Sequence, residues 1–293
     1  MSNDSYLVVG GDSLVGGQLL RALARRGHYA YSSTRRESTV DNRRIYLDFE
    51  SEDVFKAPKD VSYAFIVAAA TNYDRCEKDP LAYKINVELI PRLIESLLKQ
   101  GMFVTFISTN SVFGGERPWP NEEDLHAPAI AYAIQKDEAE RVIQASAKAL
   151  KAEQRLNIVR LTKILDRNTP PLPNWDEAWQ RTQAVQPFSD LIFAPMSVRF
   201  VGEALAIIGE KRVPGHLHLS GAENVSYVDF ASVLATAKGI DPRLIVPTTA
   251  TAKGIHIAYK PRFSGLSMQR TTALTGVNPQ KIKDVVKDLL TEN

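Results

Sequence analysis

The pentapeptide YAIQK sets Tyr132 and Lys136 four residues apart. On a helix that spacing puts both side chains on one face. A phenol near its reference pKa of about 10 is a poor base at neutral pH. An adjacent ammonium favours the phenolate and lowers that value. Such a pair can pass a proton to or from a carbinol oxygen. With ten tyrosines in the chain, the same spacing also arises by chance on a solvated helix face. Upstream, MFVTFIS (102–108) reads as a buried strand running into STNSVFGGE (108–116). Thr109 then falls at the carboxyl end of that strand, where its hydroxyl can bond a substrate oxygen or simply cap a turn.

A second stretch, LVVGGDSLVGGQLLRAL (7–23), reads as a strand entering a helix through a glycine-rich turn. Gly10 and Gly16 have the outer spacing of a GxxGxxG turn, and Ser13 stands at its middle position. Glycine there admits a pyrophosphate and lets helix pack on strand. Exposed N–H groups and the helix dipole favour the anion, and the Ser13 hydroxyl can donate to it. An ordinary tight connection is the other reading. About 20 residues further on, an NAD site carries an acid for the ribose 2′-hydroxyl. Ser32–Arg36 holds none; Arg35 and Arg36 stand there instead. Two guanidiniums suit a 2′-phosphate, so NADP(H) is expected over NAD(H), with NAD(H) possible. A solvated basic loop is the alternative.

The elements that must position these groups alternate. Strands are expected at 6–10, 29–33, 44–47, 62–69, 102–108 and 156–161, and helices at 14–27, 80–100 and 128–152. Alternation of this kind makes an α/β, doubly wound parallel sheet with ligands at the carboxyl ends of its strands. After residue 165 the pattern changes. DRNTPPLPNWDEAWQ (166–180) carries Pro170, Pro171, Pro173 and two tryptophans, a loop leading into a short helix. Helices are expected at 198–210 and 227–239 and a strand at 216–220. Residues 1–165 are therefore read as a dinucleotide-binding domain. Residues 166–293 are read as a smaller, mostly substrate-binding lobe with some elements returning to the main sheet.

The chain has 293 residues, 36 Lys plus Arg and 34 Asp plus Glu. A net charge of +2 gives no case for nucleic acid or an anionic membrane as partner. Cys76 is the one cysteine, read as a bland buried thiol in a reducing compartment. The N-terminus lacks the pattern of a signal peptide and YAFIVAAA is too short to span a bilayer, so a soluble cytoplasmic protein is expected. His216 and His218 fall on one side of a strand with no third ligand, and no metal is expected.

Four stretches in order carry a resemblance: the glycine turn, VAAATNYDRCEKDPLAYKINV (67–87), ISTNSVFGG (107–115) and YAIQK. Together they resemble the extended short-chain dehydrogenase/reductases, more closely the dTDP-4-dehydrorhamnose reductases and related NDP-sugar 4-ketoreductases. The likeness runs through residues 5–165, with weaker echoes in 216–231. It implies a Rossmann domain and NADP(H)-dependent reduction of a keto group on a nucleotide-activated sugar. Tyr132 would be the general acid and Thr109 would orient the carbonyl. Lys136 would bind the nicotinamide ribose and depress the phenol's pKa. Asn86 would support a water and the lysine, unless it is only a polar residue inside a helix. Gly10, Ser13, Leu14 and Gly16 would line the pyrophosphate. Asp48, with Phe49, would meet the adenine, and Ala68, Ala69 and Ala70 would leave room for the cofactor. Arg160, Lys163, Arg262 and Arg270 are cations available to a substrate pyrophosphate, and Trp175 or Trp179 could stack on its base. All six are more simply read as surface charges or core aromatics. Asn110 stands where rhamnose-type enzymes usually carry aspartate, and Arg199 near a place where relatives usually carry an acid. The same active set also serves a sugar-nucleotide epimerase. A non-catalytic, dinucleotide-binding regulatory protein is the reading from another class. A homodimer is the family's implication.

Overall fold

The structure is a computed structural model that describes residues 5–50 and 55–291. Its centre is a seven-stranded sheet built from β1 (Ser5–Val9), β2 (Tyr29–Thr34), β3 (Arg44–Tyr46), β4 (Val61–Ile66), β5 (Phe103–Thr109), β6 (Leu156–Leu161) and β10 (Gly215–Leu219). The order is β10-β6-β5-β4-β1-β2-β3 and every pairing is parallel. The chain starts in the middle, winds outward to β3, then crosses β1 to build the other half. The first crossover leaves a crevice at the carboxyl ends of β1 and β4, where ligands bind in open sheets of this kind.

Both faces of the sheet are covered, which is why its strands read as near-continuous apolar runs. On β1, Tyr6 and Val8 face one core while Leu7 and Val9 face the other. The first core lies under α1 (Leu14–Arg25) and α7 (Val198–Lys211). These helices cross closely at Gly202, where a Cβ would stand 2.9 Å from the Gln18 carbonyl. The second core lies under α4 (Ile90–Lys99) and α5 (Ala131–Ala149).

Two helices differ from expectation. The segment 80–100 is not one α-helix. It comprises α3 (Pro80–Tyr83), a π-helical stretch Lys84–Leu89, and α4. The short α2 (Tyr73–Lys78) precedes them. Helix α5 starts at Ala131 rather than 128, because Ile130 is still extended (φ −129°) two residues after Pro128.

Beyond β6 the chain builds β7 (Lys163–Leu165), α6 (Leu172–Gln180), β8 (Ile192–Phe193) and β9 (Pro195–Ser197) before α7. After β10 come β11 (Val225–Ser226), α8 (Tyr227–Lys238), α9 (Gln269–Thr275) and α10 (Ile282–Thr291). The pairs β7–β9 and β8–β11 are two small sheets. A third core joins α6, α8 and α10 through Trp175, Trp179, Phe230, Leu234 and Val285. Trp175 and Trp179 are each only 5% exposed, so they pack this third core and are not free to stack on a base. Among the described residues no helix is long and apolar enough to cross a membrane.

Candidate active site

The glycine turn is built by close approaches that side chains would prevent. Gly10 has φ +95°, and a Cβ on it would lie 2.7 Å from the Ala68 nitrogen. A Cβ on Gly16 would lie 2.2 Å from the Gly10 carbonyl oxygen. Ser13 is the N-cap of α1. Its hydroxyl accepts from the Gly16 N–H (3.0 Å) and donates to the Gly10 carbonyl (2.7 Å), so its proton is used within the turn. The N–H groups of Leu14 and Val15 have no acceptor among the described residues, and the first turn carries no acid. A helix start in that state accepts an anion, so the turn fits a dinucleotide pyrophosphate. The Leu14 side chain is exposed at its rim.

At the edge of the turn, Arg35 and Arg36 follow β2 directly, exposed, and neither guanidinium is hydrogen-bonded among the described residues. Asp48 lies just past β3 and accepts from the Glu50 N–H (3.0 Å); Phe49 packs half-buried on the second core. Ala68, Ala69 and Ala70 follow β4, where the Ala68 N–H donates to the Val9 carbonyl and holds the two strand ends together.

The candidate reactive set stands one strand further along. Tyr132 lies in the first turn of α5, near enough to Thr109, at the end of β5, for that hydroxyl to act on the phenol's pKa. Burial raises the phenol's pKa, neighbouring Tyr73 adds to this, and Thr109 opposes it. The Tyr73 ring stacks on Tyr132 with centroids 5.5 Å apart. Lys136, one turn on and 2% exposed, donates to the Ile107 carbonyl (2.6 Å) and sits 3.9 Å over the Phe106 ring. Burial pulls its pKa down to about 7 against the opposing charge of Glu140. The Thr109 hydroxyl also accepts from the Ser111 N–H (3.3 Å), capping the turn after β5.

Asn86 is fully occupied. Its carbonyl accepts from the Ala70 N–H and its amide donates to the Ala70 carbonyl and to Gln135, each at 2.9 Å. Gln135 in turn donates to the Cys76 carbonyl (2.9 Å). The π-helical stretch thus presents Asn86 to the loop after β4 and pins the floor of the crevice. Its partners are Ala70, Gln135 and the Cys76 sulfur (3.9 Å), not Lys136. Cys76 is buried behind Tyr132, its thiol against the Ala70 carbonyl.

Residues 5–293 match the model for the RmlD substrate binding domain. The chain belongs to that family. It is 25% identical over 297 aligned positions to the spore coat polysaccharide biosynthesis protein SpsK of Bacillus subtilis, covering 98% of this chain and 96% of that one. Among solved structures, the dTDP-4-dehydrorhamnose reductase of Bacillus anthracis in complex with NADP superposes with a TM-score of 0.81 at 18% identity, covering 99% and 100% of the two chains. MoeE5 in complex with UDP-glucose and NAD superposes with a TM-score of 0.79 at 21% identity, covering 97% and 96%. These two solved structures share the doubly wound fold of the RmlD-family chain over nearly its whole length.

Of the four candidate cations, Arg160 is unavailable in this RmlD-family chain. It is 1% exposed and forks onto Glu140 (Nη2–Oε2 2.7 Å), with the Ser108 hydroxyl on the same carboxylate. Arg262 lies over the Phe263 ring and Arg270 is exposed beside Glu122. Lys163 makes no ion pair among the described residues, and burial lowers its pKa. Asn110 donates to the Ser264 carbonyl (2.8 Å), tying the end of β5 to the segment that precedes α9. Arg199 reaches Asp288 on α10 at 3.9 Å. Three neighbours of the site escaped sequence reasoning: Asp12, Tyr73 and Glu140. Only Glu140 left a signal, four residues beyond Lys136 on the same helical face.

Proposed function

We propose that the protein reduces a ketone on a nucleotide-activated sugar, of the dTDP-4-dehydrorhamnose type, with NADP(H). The carrying observation is the meeting of Thr109, Tyr132 and Lys136 at the end of β5, one strand from a glycine turn that fits a pyrophosphate. A bound nicotinamide dinucleotide supplies the hydride. Thr109 holds the ketone oxygen, and Tyr132, kept protonated by burial, donates the proton that completes the alcohol. Lys136, its Nζ anchored on the Ile107 carbonyl, would hold the nicotinamide ribose. Asn86 keeps the crevice floor in register. Gly10, Ser13, Leu14 and Gly16 receive the pyrophosphate, while Asp48, Phe49 and Ala68–Ala70 border the adenine and nicotinamide ends. Arg35 and Arg36, exposed and with no guanidinium hydrogen bond among the described residues, support NADP(H) over NAD(H). In this reading residues 1–165 hold the dinucleotide, residues 166–293 hold most of the sugar nucleotide, and the protein works in the cytoplasm as a homodimer.

The test is loss of NADPH absorbance on adding dTDP-4-dehydro sugars. Tyr132→Phe removes turnover by a factor of about 10² or more while NADPH binding persists. Normal turnover by that variant refutes the catalytic assignment. Interconversion of two sugar nucleotides with no net NADPH consumption replaces the reductase reading with an epimerase.

A further inference from the structure

The end of β2 lacks an acid, yet a carboxylate stands there all the same, supplied by the glycine turn. Asp12 accepts from the Thr34 hydroxyl (Oδ2, 2.7 Å) at the last residue of β2 and pairs with the Arg44 guanidinium from the start of β3. The Thr34 oxygen also accepts from the Arg36 N–H (3.0 Å), which fixes the loop carrying Arg35 and Arg36. On the other side, the Gly10 N–H donates to the Ser33 hydroxyl (2.9 Å) and locks the turn onto the same strand end. Asp12 is held ionised by the Thr34 hydrogen bond first, and by Arg44 and Arg36 after it. Its side chain keeps 25% of its surface open to solvent. The carboxylate therefore lies between the turn and the β2 end, where a doubly wound sheet receives the adenosine ribose and reads its 2′ position.

We propose that Asp12 is a specificity-determining residue for the dinucleotide: it limits the preference for a 2′-phosphate that Arg35 and Arg36 create. This rests on the reading of the glycine turn as a dinucleotide site. A 2′-phosphate brings a second anion to a place where Arg44 and the Thr34 hydroxyl already serve the Asp12 carboxylate. To bind, it must share Arg44 with Asp12 or displace it, and repulsion between the two anions opposes Arg35 and Arg36. A free 2′-hydroxyl meets the opposite situation, because an ionised carboxylate is an acceptor for it. The chain accordingly holds an acceptor suited to NAD(H) and guanidiniums suited to NADP(H) around one ribose edge. Discrimination is the difference between them. The contact joins residues 12, 34 and 44, so the acid is absent from the segment 32–36 in which it would be sought.

The test is equilibrium binding of NADPH and NADH, followed by nicotinamide fluorescence, to the full chain and to Asp12→Asn. Adenosine 2′,5′-bisphosphate and AMP serve as probes of the 2′ position alone. Asn keeps an oxygen for the Thr34 hydroxyl and removes the charge. Asp12→Asn should tighten NADPH and the bisphosphate by about 10-fold relative to NADH and AMP. Asp12→Ser, which also removes the charge with a smaller side chain, should move the ratio in the same direction, and thermal unfolding reports whether either variant is folded. An NADPH-to-NADH affinity ratio unchanged in both folded variants overturns the proposal while leaving the dinucleotide reading intact. Failure of the unsubstituted chain to bind either dinucleotide overturns both.

Discussion

Tyr132 and Lys136 sit one helical turn apart and both lose water on folding, but the loss acts on them in opposite directions. Burial disfavours the phenolate and raises the tyrosine, so the hydroxyl keeps its proton and is available as an acid. Burial disfavours the ammonium and brings Lys136 down to about 7. The ammonium is thus present below that value and lost above it. If the charged lysine orients the reacting complex, kcat/KM, which reports the free enzyme, falls as pH rises through about 7. A pH–rate profile flat from about 6 to about 8 would place Lys136 outside the catalytic step or show its charge to be irrelevant. The Tyr132–Lys136 spacing was plain in the sequence, because four residues on a helix is a local relation. The surroundings that set each pKa were not. Tyr73, Phe106 and Ile107 reach the pair from two other elements, through contacts that no local pattern records.

Helix α5 carries a second charged residue toward the sheet, Glu140, one turn beyond Lys136 and 0% exposed. Its partner is Arg160 on β6, which lies in register with Ser108 on β5 and His218 on β10. The carboxylate therefore anchors the helix that bears Tyr132 to the two strands beneath it. Removing one partner of a buried ion pair leaves an uncompensated charge, so Glu140→Gln should cost about 3–5 kcal/mol of stability, read by urea unfolding. Glu140 also raises the Lys136 pKa against burial. The same variant should therefore move the alkaline limb of the pH–rate profile to lower pH, which a purely structural role would not do. A normal profile in a destabilised variant would confine Glu140 to packing. At this scale the long, doubly buried strands β1, β4, β5 and β6 were legible, because a run of apolar residues bounded by turn signals is a strong pattern. The π-helical stretch was not, since Lys84–Leu89 has the composition of an ordinary helix and its geometry is anchored through Asn86. The pairs β7–β9 and β8–β11 are two or three residues per strand, too short to show any period. The burial of Arg160 leaves no local sign, because its partner Glu140 lies 20 residues upstream on another element.

On the scale of the whole molecule, β10 closes the far edge of the sheet, and with it two imidazoles become part of the buried structure. Burial first, and the Arg160 charge second, lower His216 to about 4 and His218 to about 3. The His218 ring is 0% exposed; its Nδ1 donates to the Ser267 carbonyl (3.0 Å), which ties β10 to the segment that also meets Asn110 through Ser264. His216 Nε2 is buried without a partner among the described residues. Both rings are neutral in the folded protein at neutral pH and titrate near 6.5 when unfolded. A folded pKa below the unfolded one means the stabilisation is complete above about 6.5 and is lost as pH falls toward about 4. One neighbour acts the other way. Burial raises Glu122, whose Oε1 is 3.9 Å from His218 Nδ1, so its protonation favours the folded state as pH falls. Two imidazoles against one carboxyl leave a net loss of stability on acidification, of about 3 kcal/mol from His216 alone once pH is below its folded value. The midpoint of thermal unfolding should drop steadily from about pH 7 to about pH 5, before the depressed carboxylates Asp79, Asp190 and Asp241 contribute. His216→Leu removes one of the two titrations without discarding a hydrogen bond, and should flatten that slope by roughly half. A midpoint constant across this range, or a slope unchanged by His216→Leu, would mean that the edge of the sheet opens to water before the molecule unfolds.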